Sequence, residues 1–199
     1  SMCNSYEHTI VITNRHLVQG DFLKQLEKVT KLHPHALILR EKDLTDDAYE
    51  SLAKKVFDLC EREDITFFLH TKIEIARKIG CQNIHLSIPV LKGLSETEKK
   101  ALTEDFCEIS ISCHSMEDVE IAMAGGATQI ILGTIFETEC KKGVLGKGVE
   151  FVREICQKCP LPVYAIGGMN LQRLHLVIDA GAAGCCMMSG FMQTTKTLQ

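Results

Sequence analysis

Apolar positions along the chain alternate between two patterns. Short runs rich in aliphatic and β-branched residues lie at 10–13, 36–40, 66–69, 83–86, 108–112, 128–132, 162–166 and 184–188. Their length and composition predict eight strands. Between them, apolar residues recur at helical spacing. Phe22, Leu23, Leu26 and Val29 form one stripe, and Ala48, Leu52, Val56 and Leu59 another. Val119, Ala122 and Met123 continue the pattern, followed by Val149, Val152 and Ile155, then Leu171, Leu174 and Ile178. These stripes predict amphipathic helices. Start signals support them: Thr45 precedes Asp46-Asp47, Ser95 stands three residues before Glu98, and Ser115 precedes Glu117-Asp118. Gly125-Gly126 and Gly181 follow helical stretches, where chain-reversing glycines belong.

Strand–helix alternation repeated eight times predicts a parallel sheet, and eight units suggest a closed (β/α)₈ barrel, an α/β TIM barrel. Residues 1–199 are expected to form a single compact domain. Little chain follows position 188 of 199, so the last helix must be short. The rival is an open doubly wound sheet. Its dinucleotide-binding version lacks support, because no GxGxxG follows the first run.

Composition narrows the class further. Hydrophobic residues make up 45% and charged residues 24%, as in ordinary globular proteins, and the net charge is −4. A slightly acidic chain has no basic excess for sequence-independent nucleic-acid binding. No apolar run is long enough for a membrane-spanning helix. Ser1 to Glu7 lack the features of a signal peptide. The ten cysteines lie mostly in apolar runs, which favours free thiols in a reducing, cytoplasmic compartment over a disulfide scaffold. Cys156 and Cys159 form an isolated CxxC with no second ligand pair, and this argues against a metal or redox role.

Barrel chemistry belongs at the C-terminal ends of the strands. Gly167-Gly168 and Ser189-Gly190 follow the last two strands, where glycine allows close backbone approach and free amides suit a phosphate. The alternative is that these glycines only make tight turns. Arg40 and Lys42, one pleat apart, can face a single anion, remain solvated or pair with Glu41. His114 closes the fifth strand as a candidate acid/base or as a hydrogen-bonded histidine beside a helix start. The glycine-punctuated stretch 134–147 suits a loop that covers a ligand, with Lys141 or Lys142 reaching an anion. His70 and His85 have no third partner at metal-ligand spacing, and His85 reads as a satisfied interior histidine.

These segments, taken in order, resemble the thiamin phosphate synthase/TenI superfamily. LREK at 39–42, SCHS at 112–115, GTIFETECKKG at 133–143, AIGGM at 165–169 and MMSG at 187–190 carry the resemblance. It runs from about Ile10 to Phe191 and implies a (β/α)₈ barrel. The superfamily has two main activities. Thiamin phosphate synthase joins a pyrimidine diphosphate to a thiazole phosphate and uses magnesium held by aspartates after strands three and four. This chain has Leu69-His70-Thr71 and His85-Leu86-Ser87 there, and Cys140 where a threonine is usual. The resemblance to the TenI branch is closer. It implies a thiazole tautomerase, an isomerase that aromatises a carboxythiazole phosphate through proton transfer by His114 without metal or organic cofactor. On this reading Arg40, Lys42, Ser112, Thr138 and Lys141 bind substrate, while Gly167, Gly168, Met188, Ser189 and Gly190 bind its phosphate. The partner is a small phosphorylated thiazole, with self-association possible. The alternatives are the synthase reaction itself and a non-catalytic thiazole-phosphate-binding regulator.

Overall fold

The computed structural model describes residues 5–138, 143 and 145–195. Eight parallel strands pair in sequence order and close into a barrel. They are β1 (Thr9–Ile12), β2 (Ala36–Leu39), β3 (Thr66–His70), β4 (Asn83–Ser87), β5 (Glu108–Cys113), β6 (Gln129–Leu132), β7 (Val163–Ala165) and β8 (Gly184–Met187). The ring closes where Ile10 of β1 pairs with Ala36 on one side and with Cys186 of β8 on the other. Eight strands and the barrel therefore match the pattern of apolar runs, with strand ends displaced by one residue at most positions.

The helices between them are α1 (Phe22–Thr30), α2 (Asp46–Arg62), α3 (Ile73–Ile79), α4 (Ile88–Lys92), α5 (Glu96–Asp105), α6 (Met116–Ala124), α7 (Val149–Lys158), α8 (Leu174–Asp179) and α9 (Ser189–Met192). The Ser95–Glu98 capping box forms in full at the start of α5. Thr45 accepts from the Ala48 amide to open α2, and Ser115 accepts from the Asp118 amide to open α6. Helix α8 begins only at Leu174, because Asn170 Oδ1 first takes the Arg173 amide in a turn. The short terminal helix is α9.

Strand alternation sorts the core into two groups. Val11, Leu37, Leu39, Phe67, Leu69, Ile84, Leu86, Ile109, Ile111 and Ile130 point outward to the helices and join the large core cluster. Ile10, Ile12, Ala36, Ile38, Phe68, Ile131, Tyr164 and Cys186 have the opposite parity and fill the barrel interior. Each fully buried aliphatic side chain contributes about 1.5–3 kcal/mol. From β4 to β6 one buried inward position on each strand turns polar. His85, Ser110 and Gln129 are all buried there. They survive burial because each finds a partner: His85 Nδ1 meets Ser110 Oγ at 2.8 Å, and Gln129 Nε2 donates to the same oxygen at 3.0 Å. The polar inner faces lie on one side of the barrel and lead up to its C-terminal mouth.

Candidate active site at the barrel mouth

The β2 end presents Arg40, Glu41 and Lys42. Glu41 is only 3% exposed. Its carboxylate accepts from Thr13 Oγ1 at 2.7 Å, from the Arg15 amide at 3.0 and 3.2 Å, and from the Arg15 guanidinium at 3.0 Å. Thr13 Oγ1 in turn accepts from the Arg40 amide at 3.0 Å. The carboxylate thus clamps the end of β1 to the end of β2 and fixes the backbone that carries both cations. Asp43 extends the clamp to Arg15 and His16, and these partners hold its carboxyl well below the usual range.

Next around the mouth stand two imidazoles, with ring centroids 5.0 Å apart. His85 is buried and satisfied on both sides, since Nε2 meets Ser112 Oγ at 2.7 Å. Burial drives its pKa well below 6.5, helped by His70 and Arg40, so it is neutral. His70 pairs its Nδ1 with Thr71 Oγ1 at 2.9 Å. Burial, then the charges of Arg40 and Lys42, lower His70 to about 4. Tyr49 of α2 braces this sector, donating to the Leu39 carbonyl at 2.6 Å and accepting from the His70 amide at 3.2 Å.

His114 sits beyond β5, diametrically across the ring from β1, and its side chain is exposed. Its Nδ1 lies 2.9 Å from the Gly133 carbonyl. A carbonyl can only accept, so Nδ1 carries a proton and Nε2 is the nitrogen left to face a ligand. Lys147 Nζ donates to the His114 carbonyl, and Asp118 accepts from the His114 amide, which together fix the junction with α6. Ser112 lies one pleat below and is committed to His85.

The loop after β6 runs against the turn after β7. Gly167 has φ +106, and a Cβ there would stand 2.5 Å from Thr134 Cγ2 and 2.9 Å from the Ile135 nitrogen. Gly168 has φ +62, and its added Cβ would meet Phe136 Cβ at 2.8 Å. Both glycines are thus required by tight packing, whatever they bind. Their amides donate to no acceptor among the described residues, and neither do those of Ser189 and Gly190 at the start of α9. Arg173 holds the turn in place by donating to the Gly168 carbonyl at 2.7 Å while lying over the Phe136 ring at 4.5 Å. Met188 is half-buried, with its sulfur 3.9 Å from Asn14 Nδ2. Thr138 is half-buried and engaged. Lys141, with Cys140 and Lys142, lies outside the described residues.

The structure therefore brings Arg40, Lys42, Ser112, His114, Gly167, Gly168, Ser189 and Gly190 to one end of the barrel. Sequence reasoning missed Glu41, Thr13 and Arg173, which act by holding backbone; no local motif marks such partners. It also missed α3 and α4, which are too short for a clear apolar stripe.

The residues present do not fit the magnesium site that the synthase resemblance implies. Magnesium prefers oxygen ligands, chiefly carboxylates and water. The positions after β3 and β4 carry His70, Thr71 and Ser87, and among the described residues no group of three His, Cys, Asp or Glu side chains is placed to hold a metal.

Fold and site together define a (β/α)₈ barrel whose mouth offers cationic side chains and free backbone amides to phosphorylated ligands. A family profile described as thiamine monophosphate synthase (TMP-TENI) matches residues 9–191. The chain belongs to this family. A thiamine-phosphate synthase of Coprothermobacter proteolyticus is 30% identical over 180 residues, covering 90% of this chain and 84% of that protein. The putative thiamine-phosphate synthase 2 of Aquifex aeolicus is 29% identical over 182 residues, 92% of this chain and 96% of that one. The solved thiamine phosphate pyrophosphorylase of Pyrococcus furiosus superposes with a TM-score of 0.81 at 23% identity, covering 96% of this chain and 90% of that one, and shares the fold.

These relatives correct the expectation of a tautomerase. They are named as synthases, which are transferases, and the isomerase reading does not stand. The physical reason is that Gly167 and Gly168 are demanded by the packing of the β6 loop whatever they bind, so these motifs do not distinguish an isomerase from a transferase.

Proposed function

We propose that this chain is a transferase that joins a pyrimidine diphosphate donor to a phosphorylated thiazole. The observation that carries the reading is the 30% identity to a thiamine-phosphate synthase across 90% of the chain. The thiazole nitrogen attacks the donor carbon that bears the diphosphate. A C–N bond forms, the C–O bond breaks, and the diphosphate leaves with the electron pair. Cations aimed at the leaving group lower the barrier most, because charge develops there. Arg40 and Lys42 supply those cations. The amides of Gly167, Gly168, Ser189 and Gly190, beside Met188, hold the thiazole phosphate, and only β1 separates β8 from β2 around the ring. His114 offers Nε2 to the substrate as a hydrogen-bonding group, with Ser112 one pleat below it, and Thr138 and Lys141 are the further substrate-binding residues. Free thiols fit work in the cytoplasm.

The test is to incubate the protein with both substrates and follow the coupled product by mass spectrometry alongside released pyrophosphate. Stoichiometric product and pyrophosphate support the transferase. Binding of the thiazole phosphate without product, in EDTA and in magnesium alike, favours instead a non-catalytic binding protein. That second reading draws on the poor fit of the β3 and β4 ends to a magnesium site.

A further inference from the structure

We infer that the β2–β4 sector of the mouth takes a diphosphate directly on Arg40, with Lys42 and His70 beside it, and uses no divalent cation. The inference rests on the transferase reading only for the identity of the anion. It begins with the side-chain oxygens in this sector. Glu41 is buried and receives Thr13 and Arg15. Asp43 is taken by Arg15 and His16. Asp46 receives Lys72 Nζ at 2.8 Å. Thr71 Oγ1 is held by His70, and Ser87 Oγ accepts from the Val90 amide to cap α4. Each of these acids and hydroxyls already has a donor or a basic partner.

The charges point the same way. Arg40 is half-buried and forms no ion pair among the described residues. Leu39 pairs with Leu69, so Arg40 follows β2 beside His70, whose ring centroid lies 5.0 Å from that of His85, and the charges of Arg40 and Lys42 both lower His70. A divalent cation placed among them would meet two like charges and two neutral imidazoles. Mg²⁺ needs a near-octahedral shell of oxygen ligands and binds water reluctantly released, so this sector offers it little. A diphosphate meets the opposite situation: a planar guanidinium suited to bidentate contact and an ammonium within reach. In the tautomer where His70 Nδ1 accepts from the Thr71 hydroxyl, Nε2–H is left to donate to the anion.

The backbone makes the substitution of side-chain chemistry plain. Thr71 has φ +71, in the left-handed region. That conformation suits Asn or Asp far better than a β-branched residue. The turn therefore accepts a carboxylate, and this chain places a threonine there.

The test is calorimetric titration of the full-length protein with inorganic pyrophosphate, in EDTA and in excess magnesium. Binding in EDTA is expected, weakened by magnesium because the complexed ion carries less negative charge. Arg40→Gln should weaken binding in EDTA about tenfold or more, as befits loss of a charge-assisted bidentate contact. Lys42→Gln, at an exposed position that tolerates change, should weaken it less. Circular dichroism confirms that each variant is folded. Thr71→Asp should make magnesium an aid to pyrophosphate binding. Pyrophosphate binding only in magnesium, binding in neither buffer, or binding indifferent to both substitutions overturns the inference. The coupling reaction, run in the same two buffers, separates the two ideas. Product formed only with magnesium sinks the inference and spares the transferase. Pyrophosphate bound in EDTA with no product in either buffer does the reverse.

Discussion

Glu41→Gln tests whether the buried carboxylate is what holds the ends of β1 and β2 together. The substitution keeps the shape but removes the charge. A glutamine oxygen can accept from Thr13 Oγ1 or from the Arg15 amide, and its NH₂ then faces the remaining donor across contacts that are now 2.7–3.2 Å. One buried donor is left without an acceptor, which costs about 1–3 kcal/mol. Breaking a buried ion pair costs about 3–5 kcal/mol when the surviving charge is stranded. Arg15 is not fully stranded, because its side chain is 25% exposed and still grips Asp43. The expected loss is therefore about 3 kcal/mol, near the low end of that range. For a chain of this size, this lowers the melting temperature by about 6–12 °C. Urea denaturation and scanning calorimetry measure both quantities. Adding Arg15→Gln to the Glu41→Gln protein should cost less than in the wild type, since the charge to be stranded is gone. Asp43→Asn, at an exposed carboxylate, should be much milder. A Glu41→Gln protein within about 0.5 kcal/mol of wild type, or strict additivity with Arg15→Gln, would refute the clamp.

Other outcomes follow from the same geometry. His70 and His85 have folded pKa values below that of a free imidazole, so the unfolded chain binds protons more readily and acid favours unfolding. Stability should fall between pH 6.5 and 5 with a slope that steepens to at most about 1.4 kcal/mol per pH unit for each histidine, and urea titrations of His70→Asn should show a correspondingly shallower slope. Gly167→Ala forces a Cβ to 2.5 Å from Thr134 Cγ2 in a left-handed turn, so it should lose more than about 1 kcal/mol of stability and weaken inorganic phosphate binding. Under the transferase mechanism no proton shuttles through His114, so His114→Gln should keep most coupling activity while His114→Ala raises KM. Complete loss of kcat in both variants would refute a role limited to hydrogen bonding.

The barrel was legible because its signal is distributed. Eight apolar runs, each followed by a polar turn, leave few alternatives, and one-residue errors at their ends change nothing about the closure. The positions at the mouth were legible for the same reason, since a strand end fixes where Arg40, His114 and Gly167 must emerge. Their partners were not. Glu41 stands in sequence as a partner for Arg40 or Lys42, yet it is buried on other donors, because Thr13 and Arg15 come from 28 and 26 residues away. Ser110 and Gln129 carry no signal in the sequence, and Ser112 reads there as facing a ligand rather than His85. Only closure of the ring shows that they face inward and keep His85 satisfied and neutral.

The same contrast explains why the motifs pointed to the wrong reaction. A motif that binds phosphate through backbone amides depends on glycine, and glycine at 167 and 168 is already demanded by the crossing of the β6 loop. Such residues report the packing beneath them, and say nothing about the bond being made. Reaction chemistry is reported by side chains whose charge acts on a leaving group. Under the proposed transferase reading these are Arg40 and Lys42 at the end of β2, next in the ring to His70 and His85, and Arg40 forms no ion pair among the described residues. That sector is therefore where substitution should separate coupling from binding. Arg40→Gln should impair pyrophosphate and donor affinity while leaving thiazole phosphate affinity nearly intact, and Gly167→Ala should do the opposite. Equal loss of both ligands in both variants would show that the mouth is one undivided site.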